Sequence, residues 1–183
     1  MKKFELTSEF VTFLGKKLFR IKALISFGNV KEGELGGFVE KEENLSDYGN
    51  AWVSGDARVF GNARVFGDAW VSGDARVFGN AWVFGNAWVF GNARVSGDAR
   101  VSGDAWVSGD ADYATVQGFG SEYRATTFFR TKAGDIGVRC GCFYGTLDDF
   151  RRKVKETHGN IKIAKEYLMV ADLMEFRFSK EEV

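Results

Sequence analysis

Small and branched apolar residues recur at an interval of six through the middle of the chain. From Gly49 to Asp112 the unit is Gly-(Asp/Asn)-Ala-(Arg/Trp)-Val-(Ser/Phe), built from nine residue types with no Lys or Glu. Valine stands at 53, 59, 65, 71, 77, 83, 89, 95, 101 and 107, glycine keeps the period from 49 to 109, and alanine from 51 to 111. In an extended segment alternate side chains point to opposite faces, so Ala and Val share one face and the intervening Arg or Trp takes the other. Gly-Asp or Gly-Asn supplies a corner, because both residue types tolerate positive φ. A strand of about three residues cannot bury its apolar face alone. The units must therefore stack as a solenoid, with Ala and Val filling a narrow core.

The unit, as in Val59-Phe60-Gly61-Asn62-Ala63-Arg64, resembles the hexapeptide-repeat family, with its aliphatic residue at the first position and a small residue at the fifth. The resemblance covers residues 49–112 closely, and Val39 and Leu45 extend it loosely. It implies a mainly β protein: a left-handed parallel β-helix, three-sided, with three six-residue units per coil. About three and a half coils at roughly 4.8 Å each give a prism about 17 Å tall. The hand is implied by the family; general crossover rules favour the opposite one.

Three units per coil sort the outward residues into columns. Trp52, Trp70, Trp88 and Trp106 make the first, Arg58, Arg76 and Arg94 the second, and Arg64, Trp82 and Arg100 the third. The Arg–Trp–Arg order invites cation–π contact. A bare tryptophan ladder would form a patch of roughly several hundred Å², more than a soluble monomer exposes, so a subunit interface or a folded-back terminal segment should cover it. We take the ladder as the main contact of a homo-oligomer, a trimer by the family resemblance; the alternative is a ligand platform for bases or sugars. The six residues of the other two columns are candidate ligand contacts for an anionic small molecule or an acidic partner. The simpler reading is that the Arg stems pack along the sheet while their heads stay solvated. The Asp/Asn corners read as turn chemistry, with no metal expected.

Solenoids need caps at both ends. Residues 1–38 read as an N-terminal β cap, with a hairpin of Phe10–Leu14 and Lys17–Ile21 about Gly15-Lys16. Residues 39–113 are the β-helix, entered through Gly33–Ser46. Residues 114–183 read as a small α+β domain. Its hairpin pairs 126–130 with 136–140, and Gly141–Gly145 joins this hairpin to a helix. Thr146-Leu147-Asp148-Asp149 is a variant capping box, Leu147, Phe150 and Val154 mark the buried face, and Gly159 is the C′ residue. A second helix is predicted over about 161–175, with Ala164, Tyr167, Leu168, Ala171 and Met174 inward. The two ends also resemble segments of phage- and prophage-encoded members of the family.

Lys+Arg and Asp+Glu are both 25, which removes the broad basic footprint of a general nucleic-acid binder. No apolar run is long enough for a membrane span and the N-terminus has no signal-peptide h-region, so a cytoplasmic protein is expected, in the host if phage-encoded. Cys140 and Cys142 make no disulfide framework and have the wrong spacing for zinc. Acyltransferase relatives need a His base beside a coil, usually with a projecting loop; here the single histidine is His158 and the repeats carry no insertion. His158 suits a helix C-terminus. The expected function is thus a non-catalytic oligomeric binding or scaffold protein without a cofactor. The alternatives are a counter-defence protein that sequesters an anionic ligand such as a signalling nucleotide, or grips a host protein, and an acyl-coenzyme A-dependent acyltransferase.

Overall fold

The computed structural model describes residues 2–179. Strands β1 (Phe4–Phe13), β2 (Lys16–Ala23) and β3 (Leu35–Val39) open the chain. Ten two-residue strands follow: β4 (Trp52–Val53), β5 (Arg58–Val59), β6 (Arg64–Val65), β7 (Trp70–Val71), β8 (Arg76–Val77), β9 (Trp82–Val83), β10 (Trp88–Val89), β11 (Arg94–Val95), β12 (Arg100–Val101) and β13 (Trp106–Val107). The C-terminal part holds β14 (Tyr113–Val116), β15 (Thr126–Arg130), β16 (Ile136–Cys140), β17 (Phe143–Thr146), α1 (Leu147–His158) and α2 (Lys162–Phe178).

The short strands pair in parallel with the strand one coil later. Trp52 opposes Trp70, Trp70 opposes Trp88 and Trp88 opposes Trp106 in one ladder. Arg58, Arg76 and Arg94 form a second, and Arg64, Trp82 and Arg100 a third. Every Val from 53 to 107 and every Ala from 51 to 105 is buried. The offset of 18 places the corners one above another as well. Gly67 shows why the unit needs glycine: its φ is +73°, and an added Cβ would lie 3.0 Å from the backbone nitrogen of Gly85. At Gly109 the φ changes to −156°, and Asp110–Asp112 turn out of register as a 3₁₀ helix, so Ala111 is exposed and the repeat stops.

Stacking leaves two ends of opposite polarity, because each coil donates N–H groups to carbonyls of the next. In the first coil the carbonyls are left over. Lys3 Nζ donates to the carbonyls of Ala51 (2.8 Å) and Gly49 (3.3 Å), and Asn44 Nδ2 to those of Ala63 (2.8 Å) and Gly61 (3.1 Å). The backbone N–H groups of Phe38, Glu40 and Ser46 take the carbonyls of Ala57, Val59 and Val65. In the last coil the N–H groups are left over and meet acceptors. Asp110 takes Arg94, Thr127 takes Arg100, and Asp112 takes both Ser108 and Gly109. Each cap carries the hydrogen-bonding sense that its end lacks, which satisfies buried backbone without adding another coil.

The caps also close the core. Phe4, Ile21, Ala23 and Val30 continue it at one end, and Phe129 at the other. Adjacent residues on a strand face opposite ways; Phe128 therefore enters a second core, with Val138, Leu147, Phe150, Val154, Ala171 and Met174. Strand β15 is a lid with one face on the coils and the other under the two helices.

The hairpin turn falls on Leu14-Gly15, with φ +49° and +75°, one residue earlier than predicted. The segment Gly141–Gly145 is not only a joiner: Phe143–Thr146 form β17 against β16, and β14 completes an antiparallel sheet of order β14-β15-β16-β17. Helix α2 runs three residues beyond the predicted end, because Phe178 is buried and its carbonyl accepts from Arg130 at 2.8 Å. The Thr146 cap stands as predicted, and Gly159 ends α1 as its C-cap residue, one position earlier than the C′ role predicted. The cap hydrogen bonds from Thr146 hold the Asp149 carboxyl below its ordinary range. No described helix is long and apolar enough to cross a membrane.

Lys3 is the fully buried cation of the lower cap. Burial pushes its pKa down to about 8, partly offset by the carboxylates of Asp47 and Asp68. Between about pH 8 and the ordinary lysine value of 10.5 the unfolded chain therefore holds the proton that the folded chain has lost. Stability at this site rises as pH rises through that window. The wild type should gain about 1–3 kcal/mol relative to Lys3→Met between roughly pH 7 and pH 10, read by urea unfolding; a difference independent of pH would contradict this.

Candidate functional site

Each repeat strand offers one outward side chain at its Arg/Trp position, so the surface chemistry of the coils is set by the three ladders. The tryptophan ladder is not a uniform face. Trp52 is 0% exposed. Phe27 meets it edge-on at 5.5 Å, and Gly36 passes so close that a Cβ there would collide with the indole and with Ile21. Trp52 therefore belongs to the core and not to a subunit contact, because the N-terminal cap folds over it. Trp70 is half-buried and donates its Nε1–H to Ser54 Oγ at 3.1 Å. Trp88 and Trp106 stack at 5.1 Å, Phe90 lies edge-on to Trp106, and Trp88 is the exposed member at 43%.

In the second column the guanidinium groups of Arg58 and Arg76 both rest on the Phe13 ring, at 4.7 and 4.8 Å. Phe13 packs edge-on against Phe60, which stacks on Phe78. The tip of the β1–β2 hairpin thus covers the lower part of this column and leaves Arg94 exposed at its top. In the third column Arg100 sits 5.0 Å from the Trp82 ring and Arg64 is exposed. Phe66 stacks on Phe84 and meets Trp82 edge-on. Arg139, from β16, lies over Phe84 at 5.2 Å.

The repeat arginines are held by aromatic faces or left in solvent, and not by carboxylates. Among the described residues, none of Arg58, Arg64, Arg76, Arg94 and Arg100 has a carboxylate within 4.0 Å. Three corner carboxylates have amide partners instead: Asn50 donates to Asp68, Asn80 to Asp98 and Asn86 to Asp104, each one coil apart. The C-terminal part behaves differently. There Arg151 bonds Asp172 and Glu175, which hold it more firmly protonated than an ordinary arginine, and Arg130 pairs with Asp112. A π face positions a guanidinium without neutralising it and leaves its in-plane N–H donors unused.

Two grooves lie where the last coils meet the C-terminal domain. One, of about 680 Å³, is lined by Arg94, Ser96, Asp98, Tyr113, Gln117 and Arg177 among others. The second, of about 310 Å³, includes Trp82, Asp98, Arg100, Gln117 and Arg124. Of the six ligand contacts proposed by the sequence reading, Arg94, Trp82 and Arg100 line these grooves, and Arg58, Arg64 and Arg76 do not. That reading missed Gln117, Arg124 and Arg177, which lie outside the repeat and carry no periodic signal.

Three stretches of the chain, residues 57–73, 69–85 and 93–109, match the model of the YdcK β-solenoid repeat. The repeats form a β-solenoid. Each match covers 17 residues, close to one full coil of the solenoid. A comparison with curated proteins finds no match.

His158 ends α1 and its ring stacks on Tyr167 at 5.9 Å. Cys140 accepts a hydrogen bond from Thr126 Oγ1 at 3.2 Å, and Cys142 is an exposed free thiol. Burial, and then Cys140, push the Tyr167 hydroxyl above its ordinary pKa. Among the described residues no cluster of His, Cys, Asp and Glu could hold a metal ion.

The two ends of the tryptophan ladder should respond differently to mutation. Trp52→Ser should cost about 3–5 kcal/mol of unfolding free energy, as a large-to-small core change does, whereas Trp88→Ser should cost about 1 kcal/mol or less. Urea denaturation of both variants checks this; equal losses would contradict the burial of Trp52 under the cap.

Proposed function

We propose that the protein is a non-catalytic binding module that takes an anionic ligand on the arginine-bearing ladders of a left-handed, three-sided solenoid. The observation that carries this reading is the state of the repeat arginines. They recur with the register of the coils and lack carboxylate partners among the described residues; where the hairpin does not cover them, Arg94 stands exposed and Arg100 lies on the Trp82 ring. A solvated surface arginine needs no ring at its back. A ring fixes the guanidinium plane, lowers the entropy lost on binding, and leaves a charged fork that suits phosphate or carboxylate oxygens. The hand and the three sides come from the family resemblance, with three parallel ladders in support. An oligomer built on the tryptophan ladder would use Trp88.

Inorganic tripolyphosphate should bind the full chain in an isothermal titration, with affinity that falls as salt is raised. Arg100→Gln should weaken it by about tenfold, the loss expected for a charge-assisted hydrogen bond. Trp82→Leu should weaken it by a smaller factor, by releasing Arg100 from its ring. Absence of binding by the wild type would overturn the reading.

A further inference from the structure

The two junction grooves share Asp98 and Gln117 in their linings, so they adjoin there and together make a trough whose two halves meet at these residues. We propose that this trough binds a small hydroxyl-bearing molecule with a phosphate at each end, of the sugar-bisphosphate class. The proposal rests on the anion-binding reading above and names its site and ligand class.

The order of charges along the trough carries the inference. One end holds Arg94 and Arg177. Arg177 has no ion pair among the described residues, and its hydrogen bond is a long one, 3.5 Å, to the carbonyl of Asp110. The other end holds Arg100, posed on Trp82, and Arg124. Arg124 touches Glu122 at 3.4 Å, with both side chains more than half exposed, a pair too solvated to hold it. Between the ends lie the carboxylate of Asp98, which accepts from the Asn80 amide at 3.0 Å, and the amide of Gln117. Asp110 also lines the first end, where its carboxylate accepts the Arg94 backbone N–H at 2.8 Å and leaves the two arginines with a single net positive charge.

Cationic ends and an anionic middle disfavour a ligand whose charge is continuous, relative to one with charge at both ends only. A phosphate chain would set its central charge against Asp98. A carboxylate accepts hydroxyl donors, and an amide both donates and accepts, so the middle suits a polyol or sugar ring. The ends suit phosphates, each facing two guanidinium groups. Arg94 and Arg100 are six residues apart, so their backbones are separated by at most about 20 Å, and by less around a corner. That span fits a single sugar with two phosphates and not a polymer. The site needs both parts of the chain: two of its arginines come from the solenoid and two from the C-terminal domain.

Fructose 1,6-bisphosphate, fructose 6-phosphate and inorganic tripolyphosphate are titrated calorimetrically into the full chain. The bisphosphate should bind about tenfold tighter than the monophosphate, and tighter than tripolyphosphate despite its lower charge. The double variant Arg124→Ser/Arg177→Ser alters only exposed side chains and should keep the wild-type melting curve while binding the bisphosphate about tenfold more weakly. Asp98→Asn should shift the preference toward tripolyphosphate. If the wild type prefers tripolyphosphate, or the double variant binds the bisphosphate as well as the wild type, the trough proposal falls while the general anion reading stands. If none of the three ligands binds, both fall.

Discussion

The offset of 18 residues between hydrogen-bonded partners governs this molecule. Each coil donates its N–H groups to carbonyls of the next, as in Trp52 to Ala69 and Arg58 to Ala75. One register sets three things together. It stacks like residue on like residue, so the outward face becomes columns of Trp and Arg. It places the corner glycines in close backbone contact. It also leaves a carbonyl end and an N–H end that no further coil can satisfy. The caps answer that polarity: donors from Lys3 and Asn44 at one end, and acceptors from Asp110, Asp112 and Thr127 at the other. A reversed assignment would leave buried backbone groups unpaired, at about 1–3 kcal/mol each.

The columns explain how charge is distributed on a chain of zero net charge. A stack of identical cations is repulsive, and corner carboxylates could have relieved it. Asp68, Asp98 and Asp104 are instead engaged by asparagine amides from the coil below, an arrangement that the same register imposes on those corners. Aromatic faces hold several of the guanidinium groups in their place. Arg130 and Arg151, outside the repeat, take carboxylate partners in the ordinary way. The junction between the two parts therefore brings repeat arginines with unfilled donors beside Arg124 and Arg177, and a trough appears there that neither part forms alone.

Much of the fold was legible because the repeat is so regular. Val53 through Val107 inward, the three columns and the stop near Asp112 all follow from a period that any single unit repeats. The Thr146 cap and the end of α1 at Gly159 were legible because their chemistry is local. Strands β14 and β17 were not, since four residues such as Phe-Tyr-Gly-Thr become a strand only by pairing with a neighbour. The covering of Trp52 was equally hidden. Four tryptophans at the same position of the repeat give no sign of which one a cap will cover, and Phe27 and Gly36 are brought onto Trp52 by a tertiary contact. Part of the candidate site shares this limit: Trp82, Arg94 and Arg100 stand in the period, whereas Gln117, Arg124 and Arg177 reach the trough only through the docking of the sheet and α2.

Deletion within the repeat tests whether register is what holds the molecule together. Removing one whole coil, Gly67–Phe84, keeps every ladder and both caps in phase. Removing one unit, Gly67–Ser72, keeps the repeat pattern but turns the C-terminal cap onto the wrong ladder. Urea unfolding followed by circular dichroism should show a cooperative transition for the 18-residue deletion and a loss of cooperative folding for the six-residue one. A six-residue deletion that unfolds as cooperatively and at the same midpoint as the wild type would contradict the dependence of the caps on an 18-residue register.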